Sequence, residues 1–275
     1  MTGTRQHFQP ATVIGGFGTA AGPSGSRRDA LVIWRRREWA EPRPTTAKNI
    51  GYHNGMYRLT DPPTGMHRDH VDQAWAPLEE VVPAAIEKAD TRLDDAHAHA
   101  VLADYVAMIG VRHPEFGDAV NRWRTELDMP LVTGDQVHLE RLDVLGRARH
   151  QVRGFRWRFV HSPQDAHRFV LNDRGWIYFG EQDRPGRALH VPLNGRLAMI
   201  GWLDRGQTGT IDHRTLRPSW VRWMNAATWH DAAQYVVAHP DDARLLRKLP
   251  ALDDASRRLH TASPFRGHDH SLLGG

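Results

Sequence analysis

The sequence predicts an α+β fold in which an antiparallel sheet from the C-terminal half packs against a central helical segment. Three observations point there. Apolar residues recur at helical spacing through the middle of the chain, alternation with a period of two takes over after residue 154, and the two patterns are clustered rather than interleaved.

The 275-residue chain is long enough to bury a sizeable core without a covalent staple, and it contains no cysteine. That excludes thiol nucleophiles, disulfides and cysteine-ligated metal centres, and suits the cytoplasm, the expected compartment. The opening residues lack the apolar core of a signal peptide, and no stretch of roughly 18 apolar residues is available for a membrane span, so no membrane partner is expected. The formal charge of +4 is carried almost wholly by arginine, since Lys48, Lys88 and Lys248 are the only lysines. Arginine presents a planar fork to phosphate or carboxylate, although a GC-rich genome gives the same bias. The expected organisation is a single α+β domain over residues 1–249 followed by a flexible C-terminal tail, 250–275.

The first segment to decide is Val13 to Gly22, VIGGFGTAAG. A dinucleotide-binding turn needs a strand before its glycines and a helix opening on them. Gly22, Pro23, Ser24 and Gly25 break any such helix, so no nicotinamide or flavin cofactor is expected. Leu31 to Trp39 reads as a strand. From Asp69 to Ala89 the residues Val71, Trp75, Leu78, Val82, Ile86 and Ala89 follow helical spacing, with Pro77 and Pro83 set to split or kink the helix. Asp94 or Asp95 caps the next helix, whose stripe is Val101, Tyr105, Met108 and Ile109 and which ends at His113 before Pro114. Shorter helices follow at 115–128 and 135–148. Strands are expected at 154–161, 168–172, 176–179, 188–193 and 196–202, with Asn194-Gly195 turning between the last two. Helices return at 225–238 and 241–249.

Several landmarks in order resemble the bacterial family catalogued as domain of unknown function 4238. Gln6-His7-Phe8-Gln9-Pro10, followed by Val13, Ile14 and Phe17, is similar to the family's His-His-Tyr-x-Pro-Gln opening. Lys48-Asn49 to Met56-Tyr57, Leu78-Glu79, Arg112-His113-Pro114, Phe169 to Asp173, Val191-Pro192-Leu193, and Asn225 with Ala233 resemble later landmarks. The resemblance implies a helical or coiled lead-in at Gly15 and Gly16, with no nucleotide. Gln6 stands where the first His belongs, Ala11 replaces the Gln after Pro10, and Arg174-Gly175 replaces an Asn-Pro. An active centre built on those positions would be altered here.

No HExxH, Walker A, GxSxG or EF-hand pattern is present. His97 and His99, two apart on a helix, point in different directions, whereas His67 and His70 could share a face beside Asp69 and Asp72. The main candidate is a polar centre of His7, Glu79, Asp173, Arg112 and Asn49. His7 would be the base, Glu79 and Asp173 the ligands of a divalent metal, and Arg112 either a phosphate contact or the structural partner of Glu79. His7 as a hydrogen-bonded tie and Asp173 as a turn residue are the competing structural readings. Arg153, Arg156 and Arg158, interleaved with Phe155 and Trp157, would suit a nucleic-acid backbone and a stacked base, or else line the outside of a packed strand. The functional expectation is a metal-dependent, nuclease-like phosphodiesterase with nucleic acid as partner. The alternatives are a non-catalytic partner- or ligand-binding module and a hydrolase of a small anionic substrate.

Overall fold

The computed structural model describes residues 5–19, 25–92, 95–179, 188–202 and 212–260, with side chains up to residue 251. In chain order its strands are β1 (Arg5–His7), β2 (Leu31–Arg36), β3 (Arg43–Thr46), β4 (Tyr52–Asn54), β5 (Arg156–His161), β6 (Leu171–Asn172), β7 (Ile177–Phe179), β8 (Ala188–Pro192), β9 (Leu197–Trp202), β10 (Asp212–Thr215) and β11 (Tyr235–Ala238). The helices are α1 (Ala11–Ile14), α2 (His70–Gln73), α3 (Ala76–Asp90), α4 (Ala96–Arg112), α5 (Phe116–Glu126), α6 (Asp135–Arg153), α7 (Pro218–Asp231) and α8 (Ala243–His260). This is an α+β arrangement. Among the described residues no helix is long and apolar enough to cross a membrane.

The glycine run is α1 followed by a 3-10 turn at Gly15–Phe17, so Ala11 to Gly15 is not the strand that a dinucleotide turn requires before its glycines. The long middle helix divides at Ala74–Trp75, with Pro77 in the first turn of α3, where the missing amide is not needed. Asp95 caps α4 by accepting from the Ala98 amide, and the expected stripe of Val101, Tyr105, Met108 and Ile109 is buried.

The late strands form two sheets rather than one. β5, β7, β8 and β9 run antiparallel, while β10 joins parallel to β5 at the edge. β6 belongs instead to a four-stranded sheet ordered β3-β2-β11-β6. Val32 and Val237 on one face of this sheet enter the main core with α3 and α4. Ile33, Val236 and Ala238 on the other face meet Trp229 of α7 and Leu245, Leu246 and Leu249 of α8. The helix expected over 225–238 is therefore corrected: α7 ends at Asp231 and Tyr235–Ala238 is a strand, because a β-branched pair between two sheet partners buries more than a further helical turn. α8 continues through Pro250 to His260; residues 261–275 of the expected tail lie outside the described residues.

In β5, Trp157 and Phe159 are buried while Arg156 is exposed and Arg158 half-exposed, as alternation requires. Trp157 lies directly across from Gly201. A β-carbon at Gly201 would sit 2.5 Å from Cζ3 of that ring, which also donates from Nε1 to the Val152 carbonyl at 3.0 Å. Gly201→Ala should therefore displace the indole and cost about 1–3 kcal/mol, read as a lower urea midpoint with unchanged slope.

Candidate functional site

The N-terminal strand is held by β4 in the register Arg5↔Asn54, Gln6↔His53 and His7↔Tyr52. Alternation turns Gln6 inward and Arg5 and His7 toward the surface. Gln6 accepts from the Tyr57 amide at 2.6 Å and hydrogen-bonds Asp72, so the residue that departs from the family's opening ties together two segments of the core. His7 donates from Nε2 to the Lys48 carbonyl at 3.3 Å, leaving Nδ1 with its lone pair, and its ring lies 5.5 Å from that of Tyr52. Asn49 accepts from Arg5 at 2.9 Å and donates to Thr46 Oγ1 at 2.8 Å.

Arg112 ends α4 and is 1% exposed, so its charge must be met inside the protein. One terminal nitrogen donates to Glu79 Oε1 and the other to the His7 carbonyl. Its guanidinium also stands 5.6 Å from the rings of both Tyr57 and Trp75, and Tyr57 returns a bond from its hydroxyl to the Arg112 carbonyl at 2.6 Å. Of the expected centre, Glu79 and Arg112 meet directly and the His7 backbone carbonyl joins them, whereas the Asn49 side chain is held by Arg5 and Thr46. Asp72, Tyr57 and Tyr105 complete the centre and were not singled out as its members; their signal was present only in the apolar helix face around Asp72 and the Met56-Tyr57 landmark.

Burial dominates the electrostatics. It lowers the His7 imidazole to about 4, helped by the nearby Arg28 and opposed by the Lys48 carbonyl, so His7 is neutral at physiological pH. Asp72 is held above the ordinary carboxylate range by burial, against the pull of Arg112, with Glu79 and Asp69 adding to the rise. Burial likewise raises the phenols of Tyr57 and Tyr105. Arg112 stays charged because Tyr57 and Glu79 outweigh its desolvation.

Asp173 does not join this centre, which corrects its expected role. Its two oxygens accept from the amides of Ala233 and Gln234, each at 2.9 Å, where the chain leaves α7 for β11. His113 Nε2 lies 3.9 Å from Oδ2. The acid holds the turn at Ala233 and Gln234 through both of its oxygens. Among the described residues no three His, Asp or Glu side chains are arranged to hold a metal ion. His67 accepts from the Asp69 amide, and His70 is exposed at the start of a one-turn helix. His97 and His99 do diverge, one exposed and the other buried against Phe159.

The expected nucleic-acid face around β5 is also corrected. Trp157 is a core residue wedged over Gly201, unable to receive a base. Arg153 forms a double hydrogen bond to Asp104, both contacts 2.8 Å, and Arg158 pairs with Asp212 at 3.2 Å. Arg156 remains on the solvent side of the strand.

Fold and centre together define an α+β protein in which one buried arginine ties a glutamate of α3 to the backbone of the N-terminal strand. The chain belongs to the family described as Protein of unknown function (DUF4238), which it matches over residues 5–242. No curated protein and no solved structure matches it.

Proposed function

We propose that the chain is a nuclease-like phosphodiesterase whose chemistry is centred on His7, without Asp173. The observation supporting this reading is that Glu79 and the His7 carbonyl meet on the Arg112 guanidinium, which sets the His7 imidazole within the field of that pair, with Arg5 and Arg28 exposed nearby to attract an anionic substrate. With Nε2–H fixed on the Lys48 carbonyl, Nδ1 takes the proton of a water attacking phosphorus, and the resulting imidazolium returns it to the leaving oxygen. Glu79, held by Arg112, supports that imidazolium electrostatically.

Purified chain incubated with bis(p-nitrophenyl) phosphate should turn over, and His7→Ala should be slower by about 100-fold or more. Because the base must be neutral, kcat/KM should rise as pH passes about 4 and stay level through neutrality. Equal rates for the two proteins, or an acid limb centred near 7, would remove His7 from the chemistry. A non-catalytic module is the second reading, favoured by the way Glu79 and Arg112 satisfy each other; oligonucleotide binding with no turnover is its signature.

A further inference from the structure

We infer that Trp34, Arg36, Trp39 and Arg43, at the hairpin between β2 and β3, form a binding surface for single-stranded nucleic acid, the substrate strand of the activity proposed above and dependent on that reading for its catalytic meaning. Trp34 and Arg43 are direct cross-strand neighbours, and Arg36, two residues beyond Trp34, shares their face. The Trp39 ring stands 4.7 Å from Trp34 at 69°. Arg43 lies over Trp39 at 4.1 Å, and Arg36 is 5.4 Å from Trp34 and 5.6 Å from Trp39. Two half-buried indoles are thus interleaved with two exposed guanidinium groups.

The neighbouring arginines show what a structural role looks like here. Arg35 crosses to the opposite face and donates to the carbonyls of Trp39, Leu246 and Arg247, while Arg37 caps the end of α7 at His230 and Ala232. Arg36 and Arg43 do neither. Glu41 is taken by Arg247 at 2.6 Å, leaving Glu38, 3.6 Å from Arg36, as the acid beside the stack. The rings hold the two guanidinium groups beside them with N–H groups left for a phosphate, and Trp39, with Trp34 packed behind it on the core and Tyr235, is the indole placed to meet a base.

The same strand leads to the proposed centre. β3 is the outer strand of its sheet and spans about 10 Å from Arg43 to Thr46. The 3-10 turn Ala47–Asn49 then delivers Lys48 and Asn49 to His7 and Arg5. A single strand laid along β3 would run from the arginine–tryptophan stack to the imidazole. An acidic peptide would use the cations but not the rings, which is why nucleic acid is favoured.

The test is fluorescence anisotropy with labelled oligo(dT) and oligo(U) of about 12 nucleotides. The full chain should bind both, and Arg36→Ala with Arg43→Ala should weaken binding at least tenfold and reduce the magnitude of the log K against log salt slope by about 1.4. Trp39→Leu should weaken binding about 5- to 100-fold with little change in that slope. Circular dichroism on each variant checks the fold; the double arginine variant changes only exposed side chains, so its result stands if Trp39→Leu fails to fold. Unchanged affinity in the folded arginine variant, no binding by the full chain at low salt, or equal binding of a polyglutamate peptide would overturn the inference. His7→Ala should bind normally. Turnover lost with binding intact supports this surface, whereas bis(p-nitrophenyl) phosphate hydrolysis without oligonucleotide binding removes the surface alone.

Discussion

Arg112→Ala is expected to destabilise the fold by about 3–5 kcal/mol, the usual cost of deleting one member of a buried ion pair. Three losses coincide. Glu79, with a third of its side-chain surface exposed, loses the cation that holds it, the partly buried His7 carbonyl loses a donor, and the volume between Tyr57 and Trp75 is emptied. Glu79→Gln keeps the shape and one acceptor, so it should cost markedly less. Urea denaturation of both variants reads the difference; a loss under about 1 kcal/mol for Arg112→Ala would mean that water replaces the guanidinium with little penalty.

A second large effect is expected at Asp231, and it depends on pH. This last residue of α7 carries its charge at the negative end of the helix, with Oδ2 buried and unpaired and Arg174 no nearer than 3.9 Å to Oδ1. Burial is the main cause of a rise from 3.8 to about 7; Asp173 and Glu115 add to it, while Arg174 and Arg37 oppose it. The folded state therefore holds a proton that the unfolded chain has released, and stability falls as pH rises from about 4 to about 7. Above that window the penalty is fully present, on the order of 4 kcal/mol at most. Asp231→Asn carries no charge to bury, so its unfolding midpoint should exceed that of the unmodified chain at pH 8 and converge with it near pH 4. A constant difference across that range would show that the carboxylate is ionised and solvated throughout.

Local signals were legible wherever a residue's role is set by near neighbours. Asp95 and the α4 stripe could be read because capping and helical burial are spelled within two turns. The Asn194-Gly195 turn could be read because Asn194 accepts from the amides of Arg196 and Leu197. The Glu79–Arg112 pair was legible because a glutamate on a mostly apolar helix needs a cationic partner if it is buried. Asp173 misled because its partners, the amides at 233 and 234, are 60 residues away and carry no side-chain signature. β11 hid within a helical run, since only the waiting edges of β2 and β6 make Val236 and Val237 a strand. The arginine–tryptophan stack had a trace in the sequence: Trp34 and Arg36 alternate onto one face of a strand, but its closure by Arg43 needs the hairpin register.

The central position of β11 bears on how the molecule is made. β2 is synthesised about 200 residues before the strand that completes it, so a nascent chain still lacking Tyr235 to Ala238 carries open ladders on β2 and β6 and an uncovered apolar face at Ile33. Closure of this sheet therefore waits until Tyr235 to Ala238 has been made, and until then those ladders are open to pairing with other chains.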